Sequence, residues 1–183
     1  MSPLQAGLTY LPGMLLLFVA SAVSAKLGER FSPSALLGAG LVTVAGGLAL
    51  LTATGADSSW TATLPGILLA SLGTGIFNPT LGALALGAGP PERSGLLSGI
   101  NDMARQTGIA VGVGVFGALI PASAALGRGS PVAYVHGLHH ALVLGSAIAA
   151  SGAAATVALI GATRAARPTT GATDGPQPSR EPA

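Results

Sequence analysis

Cysteine is absent from this chain of 183 residues. Its absence excludes disulfides, thiolate metal sites and cysteine nucleophiles. Charge is scarce as well: Asp, Glu, Lys and Arg together make up 8% of the residues, against about 25% in a typical soluble domain. Lys26 is the only lysine. A net charge of +2 and an aromatic content of 4% leave neither the basic footprint nor the stacking side chains of a nucleic-acid binder. Met1 to Thr9 lacks the basic start of a cleavable signal peptide. No Ser/His/Asp arrangement has supporting context and no phosphate-binding loop occurs, so neither an enzyme nor a bound cofactor is expected.

What fills the chain is apolar. Half of it, 50%, is hydrophobic, and its mean hydropathy is +0.67. A protein so poor in charge could not cover its surface in water, which makes an integral membrane protein the default class. Five apolar segments, near 4–25, 34–53, 61–88, 96–121 and 136–162, each approach the ~20 residues that cross ~30 Å of hydrocarbon as a helix. None alternates strictly as a barrel strand would. The expected fold is therefore an all-α membrane protein of about five transmembrane helices over residues 1–163, in contact with the lipid bilayer. Residues 164–183, rich in Pro, Thr and Gly, read as a disordered tail. Asp57 or Ser58 is a plausible N-cap for the third helix.

The basic residues suggest an orientation. Lys26 and Arg30 lie in the first connection, Arg93 in the third, and Arg164, Arg167 and Arg180 after the fifth helix; only Arg128 falls on the other side. The positive-inside rule then puts the C-terminus in the cytoplasm and the N-terminus outside. An abundance of Ala and Gly with a single lysine points to a GC-rich bacterial genome and hence to a bacterial plasma membrane.

Within this apolar background one stretch is anomalous. The turn Gly89-Pro90-Pro91-Glu92-Arg93 runs into a helix that carries Asn101, Asp102, Arg105 and Gln106 within two turns. Polar groups at such a place are costly, so they pair, face protein or line a path. Asp102 and Arg105, three residues apart, can neutralise each other. An interfacial anchor whose arginine snorkels to the headgroups is the alternative. Asn78-Pro79 interrupts the third helix, and Pro12 and Pro65 stand in the first and third. Proline kinks a helix, and bent helices often line transport paths. Gly108 and Gly112, and Gly73 and Gly75, are candidate points of close helix approach. Glu29 and Arg30 read as an exposed ion pair. His136, His139 and His140 gather at the mouth of the fifth helix, but no carboxylate or cysteine accompanies them, so no metal site is expected.

Together these residues resemble the C-terminal part of major facilitator superfamily transporters, in the 14-helix drug:proton antiporter branch of the EmrB/QacA type. The resemblance rests on Ser2-Pro-Leu-Gln-Ala-Gly-Leu8, Leu11-Pro12, the loop Lys26-Leu-Gly-Glu-Arg-Phe-Ser-Pro33, Ser59-Trp60, Leu64-Pro65-Gly66 and the Gly73-x-Gly75…Pro79 run. Its most specific part is Pro91-Glu92-Arg93-Ser94-Gly95…Ser98-Gly99-x-Asn101…Arg105-Gln106-x-Gly108. In the loop, Glu29 and Arg30 stand at the family's acidic-basic pair, while serine and proline replace a glycine and a basic residue; Asp102 stands where relatives often have a second Asn. The resemblance implies the last five helices of a transporter, efflux of a small molecule against protons, gating roles at the cytoplasmic end, and dependence on a complementary N-terminal half. The competing reading is a membrane scaffold without transport, or the relic of a truncated transporter gene.

Overall fold

The computed structural model describes residues 3–55, 58–120 and 130–165. It contains α1 (Pro3–Leu27), α2 (Pro33–Leu51), α3 (Trp60–Leu86), a single 3-10 turn (Pro91–Arg93), α4 (Ser94–Leu119) and α5 (Pro131–Ala165). No strand occurs among the described residues.

Local chemistry sets the starts of these helices. Ser32 caps α2: its backbone is extended, its hydroxyl accepts from the Ala35 N–H at 3.3 Å, and Pro33 follows at the first helical position. The same device opens α5, where Ser130 accepts from the Ala133 N–H at 3.1 Å ahead of Pro131. The fifth helix therefore begins at Pro131, ahead of the expected 136, and His136 sits in its second turn. Ser59, not Asp57 or Ser58, is the N-cap residue of α3, and its side chain makes no capping bond. Ser58 instead turns back to accept from the Gly55 N–H at 2.9 Å. Asp57, Arg128 and most of the expected tail lie outside the described residues.

The helix α3 is the centre of the bundle, packed by α1 on one side and α2 on the other; α2 also carries α5. Small residues make this possible. A Cβ placed on Gly73 would stand 2.5 Å from the Gly40 carbonyl oxygen, and one placed on Gly47 would stand 2.5 Å from the Ala70 nitrogen. At these points α2 and α3 touch backbone to backbone, so dispersion acts over short distances and replaces the hydrophobic drive that lipid does not supply. On the other face of α3, a Cβ at Gly75 would stand 2.5 Å from the Leu17 carbonyl oxygen of α1. The pairings run Gly40 with Phe77 and Gly47 with Ala70, and Gly13 with Ile67 and Gly75 with Ala20. Thus α2 is antiparallel to α3, and α1 is parallel to it.

Two polar contacts fasten α5 to α2. Ser146 donates to the Ala45 carbonyl at 3.0 Å, and the His139 Nε2 lies 2.7 Å from the Thr54 carbonyl oxygen just past the end of α2. The buried residues are small, such as Ala20, Ala45, Ala141 and Ala153, and the large apolar side chains point outward: Phe18 is 74% exposed and Met103 73%. A soluble protein does not present apolar surface on this scale. In a bilayer this is the ordinary outward face. The protein is an all-α membrane protein.

Among the described residues four helices, α1, α2, α3 and α5, are long and apolar enough to cross a membrane. The expected fourth span is present as a helix, α4, but does not reach the apolar content of the others. Asn101, Asp102, Arg105 and Gln106 are the reason. It is also the loosest element, with no buried residue and only light contact with α3 and α5.

Candidate functional site

Four polar residues of α4 were candidates for one site, and the helix distributes them over different faces. The half-buried positions of α4 include Leu97, Asn101, Gly112 and Phe116. Spacings of four, eleven and four residues put these on one stripe of a helix, and Phe116 packs toward Gly145 of α5. Asn101 thus lies on the side facing the bundle. Asp102, Arg105 and Gln106 are exposed. An Arg105 Nη2 donates to Asp102 Oδ1 at 2.9 Å, with side chains 54% and 56% exposed. This is the only ion pair among the described residues. In water such a pair contributes about 0–1 kcal/mol. Wherever lipid reaches this part of α4, pairing offers one neutral group in place of two bare charges.

The loop residues do not form a second centre. Glu29, Arg30, Glu92 and Arg93 are all exposed. Glu29 and Arg30 do not make the expected ion pair with each other, since the Asp102–Arg105 pair is the only one among the described residues. Residues 28–30 form the tight turn that ends α1, with the Arg30 N–H on the Leu27 carbonyl at 3.0 Å, and the side chains are left to solvent. The helix directions nonetheless bring Lys26, Arg30 and Arg93 to one end of the bundle.

The glycines separate into two groups. Gly73 and Gly75 lie in the tight interfaces of α3, whereas nothing stands within 4 Å of a Cβ placed on Gly108, and Gly112 meets only Phe116 of its own helix. The histidines do not converge either. His139 is tied to Thr54, His136 and His140 are exposed, and no group of three potential metal ligands occurs among the described residues.

Around Asn78-Pro79 the structure does bring groups together. Both residues are half-buried within α3. Pro79 has no N–H, so the Gly75 carbonyl loses its helical donor and the helix is weakened at this turn. One residue on, the Ile76 carbonyl accepts from the Ser24 hydroxyl of α1 at 2.7 Å and from the Thr80 hydroxyl at 3.2 Å. Ser24 is 2% exposed and Thr80 8%; these are the buried polar side chains among the described residues. Beside them opens a cleft of about 470 Å³, walled by Ser24 and Ala25 of α1, Pro33 and Leu36 of α2, and Pro79 and Thr80 of α3. Sequence reasoning singled out Pro79 but missed Ser24 and Thr80. The available signal was Gly13, Ala20 and Ser24, whose spacings of seven and four residues place the serine on the small-residue face of α1.

Comparison with known proteins adds the context. Over 135 residues the chain is 29% identical to a methylenomycin A resistance protein of Streptomyces coelicolor, a match covering 73% of this chain and 28% of that protein. Over 122 residues it is 29% identical to the multidrug efflux pump LfrA of Mycolicibacterium smegmatis, covering 67% of this chain and 24% of the pump. Over 124 residues it is 37% identical to a probable actinorhodin transporter of Streptomyces coelicolor, covering 64% of this chain and 21% of that protein. The chain therefore spans about a quarter of the length of the relatives it matches. No family model and no solved structure matches it. With its bundle of apolar helices, the chain is a homologue, over one part of their length, of the drug and antibiotic efflux proteins of the major facilitator type.

Proposed function

We propose that these five helices serve as the C-terminal membrane part of a proton-coupled efflux antiporter for small molecules in a bacterial plasma membrane, and that they transport only together with the remaining helices of such a transporter. The observation that carries this reading is the pattern of similarity: efflux proteins match two thirds or more of this chain in two cases, while the chain answers to about a quarter of their length. The openness of α4, with no residue buried by its neighbours, agrees with a helix that completes its packing against other parts of a transporter. Asn101, Asp102, Arg105 and Gln106 then act at the cytoplasmic end, as gating or packing groups, with Asn78 and Pro79 marking the turn of α3 that lacks one backbone hydrogen bond.

Two measurements test this. The purified chain reconstituted alone in vesicles should show no proton-driven efflux of a fluorescent drug such as ethidium, and co-reconstitution with an N-terminal half from a related efflux pump should restore it. Robust efflux by the chain alone would overturn the proposal. For the orientation, Ser58 is exposed and the chain has no cysteine of its own. Ser58→Cys should react with a membrane-impermeant maleimide from outside the cell, and reaction only after the cytoplasm is opened would invert the topology.

A further inference from the structure

The three histidines do not meet at one point, but the structure sets two of them side by side. The sequence puts them at the mouth of the fifth helix, with its first turn at His136. In the structure α5 starts at Pro131, so His136 and His140 both stand within formed helix, four residues apart and exposed. That spacing holds their Cβ atoms ~5–6 Å apart on successive turns of one face. Two imidazole nitrogens so placed can reach a single ion at the usual ~2.0–2.1 Å. His139 is differently engaged. It is half-buried, and its Nε2 donates to the Thr54 carbonyl oxygen at 2.7 Å, which holds its ring toward α2.

That bond also fixes the depth of the pair. Thr54 lies just past the end of α2, so His139 is level with the end of that span. At ~1.5 Å per residue, His136 stands about 4.5 Å further out along α5 and His140 about 1.5 Å further in. The helix has 35 residues, far more than the ~20 that cross hydrocarbon, so its first turns have length to spare beyond the apolar layer. Water reaches the two rings there.

The donors decide the class of ion. Imidazole suits zinc, copper and nickel, whereas magnesium and calcium call for oxygen ligands. The lack of a neighbouring carboxylate or cysteine argues against a closed structural site, and no group of three potential ligands occurs among the described residues. An open site of two nitrogens and water needs neither. We propose that His136 and His140 form a two-imidazole chelate for a divalent transition-metal ion, copper ahead of nickel and zinc, at the membrane surface near the start of α5. The helix supplies the affinity, because an ion held by one ring finds the second already beside it. The inference rests on α5 and its contact with α2 and does not depend on transport.

The test uses the full chain, purified without a polyhistidine tag and titrated with copper(II) chloride at about pH 7.5, above the usual imidazole range. Three histidines and no cysteine leave few competing ligands. Electron paramagnetic resonance should show a saturable copper signal whose echo modulation reports two imidazole nitrogens. Zinc should displace the copper and magnesium should not. His136→Ala and His140→Ala should each weaken this binding by about a hundredfold, the lower range of what linking two sites gains, and leave at most one imidazole on the copper. His139→Gln, which keeps a donor for Thr54, should change neither affinity nor signal. A signal from one imidazole in the unaltered chain, unchanged binding in either alanine variant, equal displacement by magnesium, or loss of the two-imidazole signal in His139→Gln with helical circular dichroism retained would overturn the proposal. The last result would make His139 a ligand in place of one of the pair.

Discussion

Replacing Gly73 by alanine should weaken the fold by about 1–3 kcal/mol, the ordinary cost of forcing a methyl group into a filled interior. The site has no way to yield cheaply. The new Cβ would stand 2.5 Å from the Gly40 carbonyl oxygen and 2.7 Å from the Val44 nitrogen. Both are backbone atoms of α2, so relief requires moving one whole helix from the other instead of rotating a side chain. Separation of α2 from α3 would also loosen the contact of Gly47 with Ala70, because the two helices are rigid over that length. Gly108→Ala is the matched control. Nothing lies within 4 Å of its Cβ, and alanine is the better helix former by about 1 kcal/mol at most, so this variant should be neutral or slightly more stable. Unfolding of both variants in mixed micelles of dodecyl sulfate and a mild detergent, followed by circular dichroism, gives the comparison. Equal effects at the two glycines would mean that the α2–α3 approach is not the tight one described.

On the proposed function, Arg105→Ala should reduce efflux by about tenfold in the transporter assembled with an N-terminal half from a related efflux pump, the size of a typical coupling between distant elements. The chain should still insert, at somewhat lower abundance. The arginine is half-exposed and bonded only to Asp102 one turn away, so the five-helix bundle does not need it for packing. Its removal leaves Asp102 without its partner, and a lone carboxylate on an apolar helix is the costlier state. Asp102→Asn combined with Arg105→Ala should therefore recover chain abundance lost in the single variant but not efflux. Full efflux by Arg105→Ala would reduce the pair to an interfacial anchor. Efflux recovered by the double variant would show that charge balance, not the guanidinium, is what matters.

How much of this was readable beforehand follows the physics of each feature. Apolar runs of membrane length announce helices because hydrocarbon permits few other backbones, so α1, α2, α3 and α5 were visible as spans. The start of α5 was missed by five residues because Ser130-Pro131, an ordinary cap, precedes the apolar run it opens. The Asp102–Arg105 bond followed from i,i+3 spacing on a helix. Glu29 and Arg30, adjacent in sequence, failed to pair because neighbours in a tight turn need not face each other. Gly73 and Gly108 look alike in the sequence, each followed within four residues by another glycine. Only the partner helix distinguishes them, and pairing between helices is not written locally. The cleft was invisible for the same reason, since Ser24 and Thr80 meet at one carbonyl from positions 52 and 4 residues away.

The light attachment of α4 also bears on how the chain enters a membrane. Asp102 or Arg105 at the centre of a span would each oppose insertion by about 2.5–3.5 kcal/mol, and α4 alone lacks the apolar content of its neighbours. It cannot count on a tight groove to receive it either. The turn at Gly87–Pro90, the 3-10 turn at Pro91–Arg93 and the seat of Leu97 against Gly89 join α4 closely to α3. Synthesis would therefore deliver α3 and α4 as one hairpin, with the strongly apolar helix carrying the reluctant one. The order in which the helices leave the ribosome then becomes part of what makes the topology attainable.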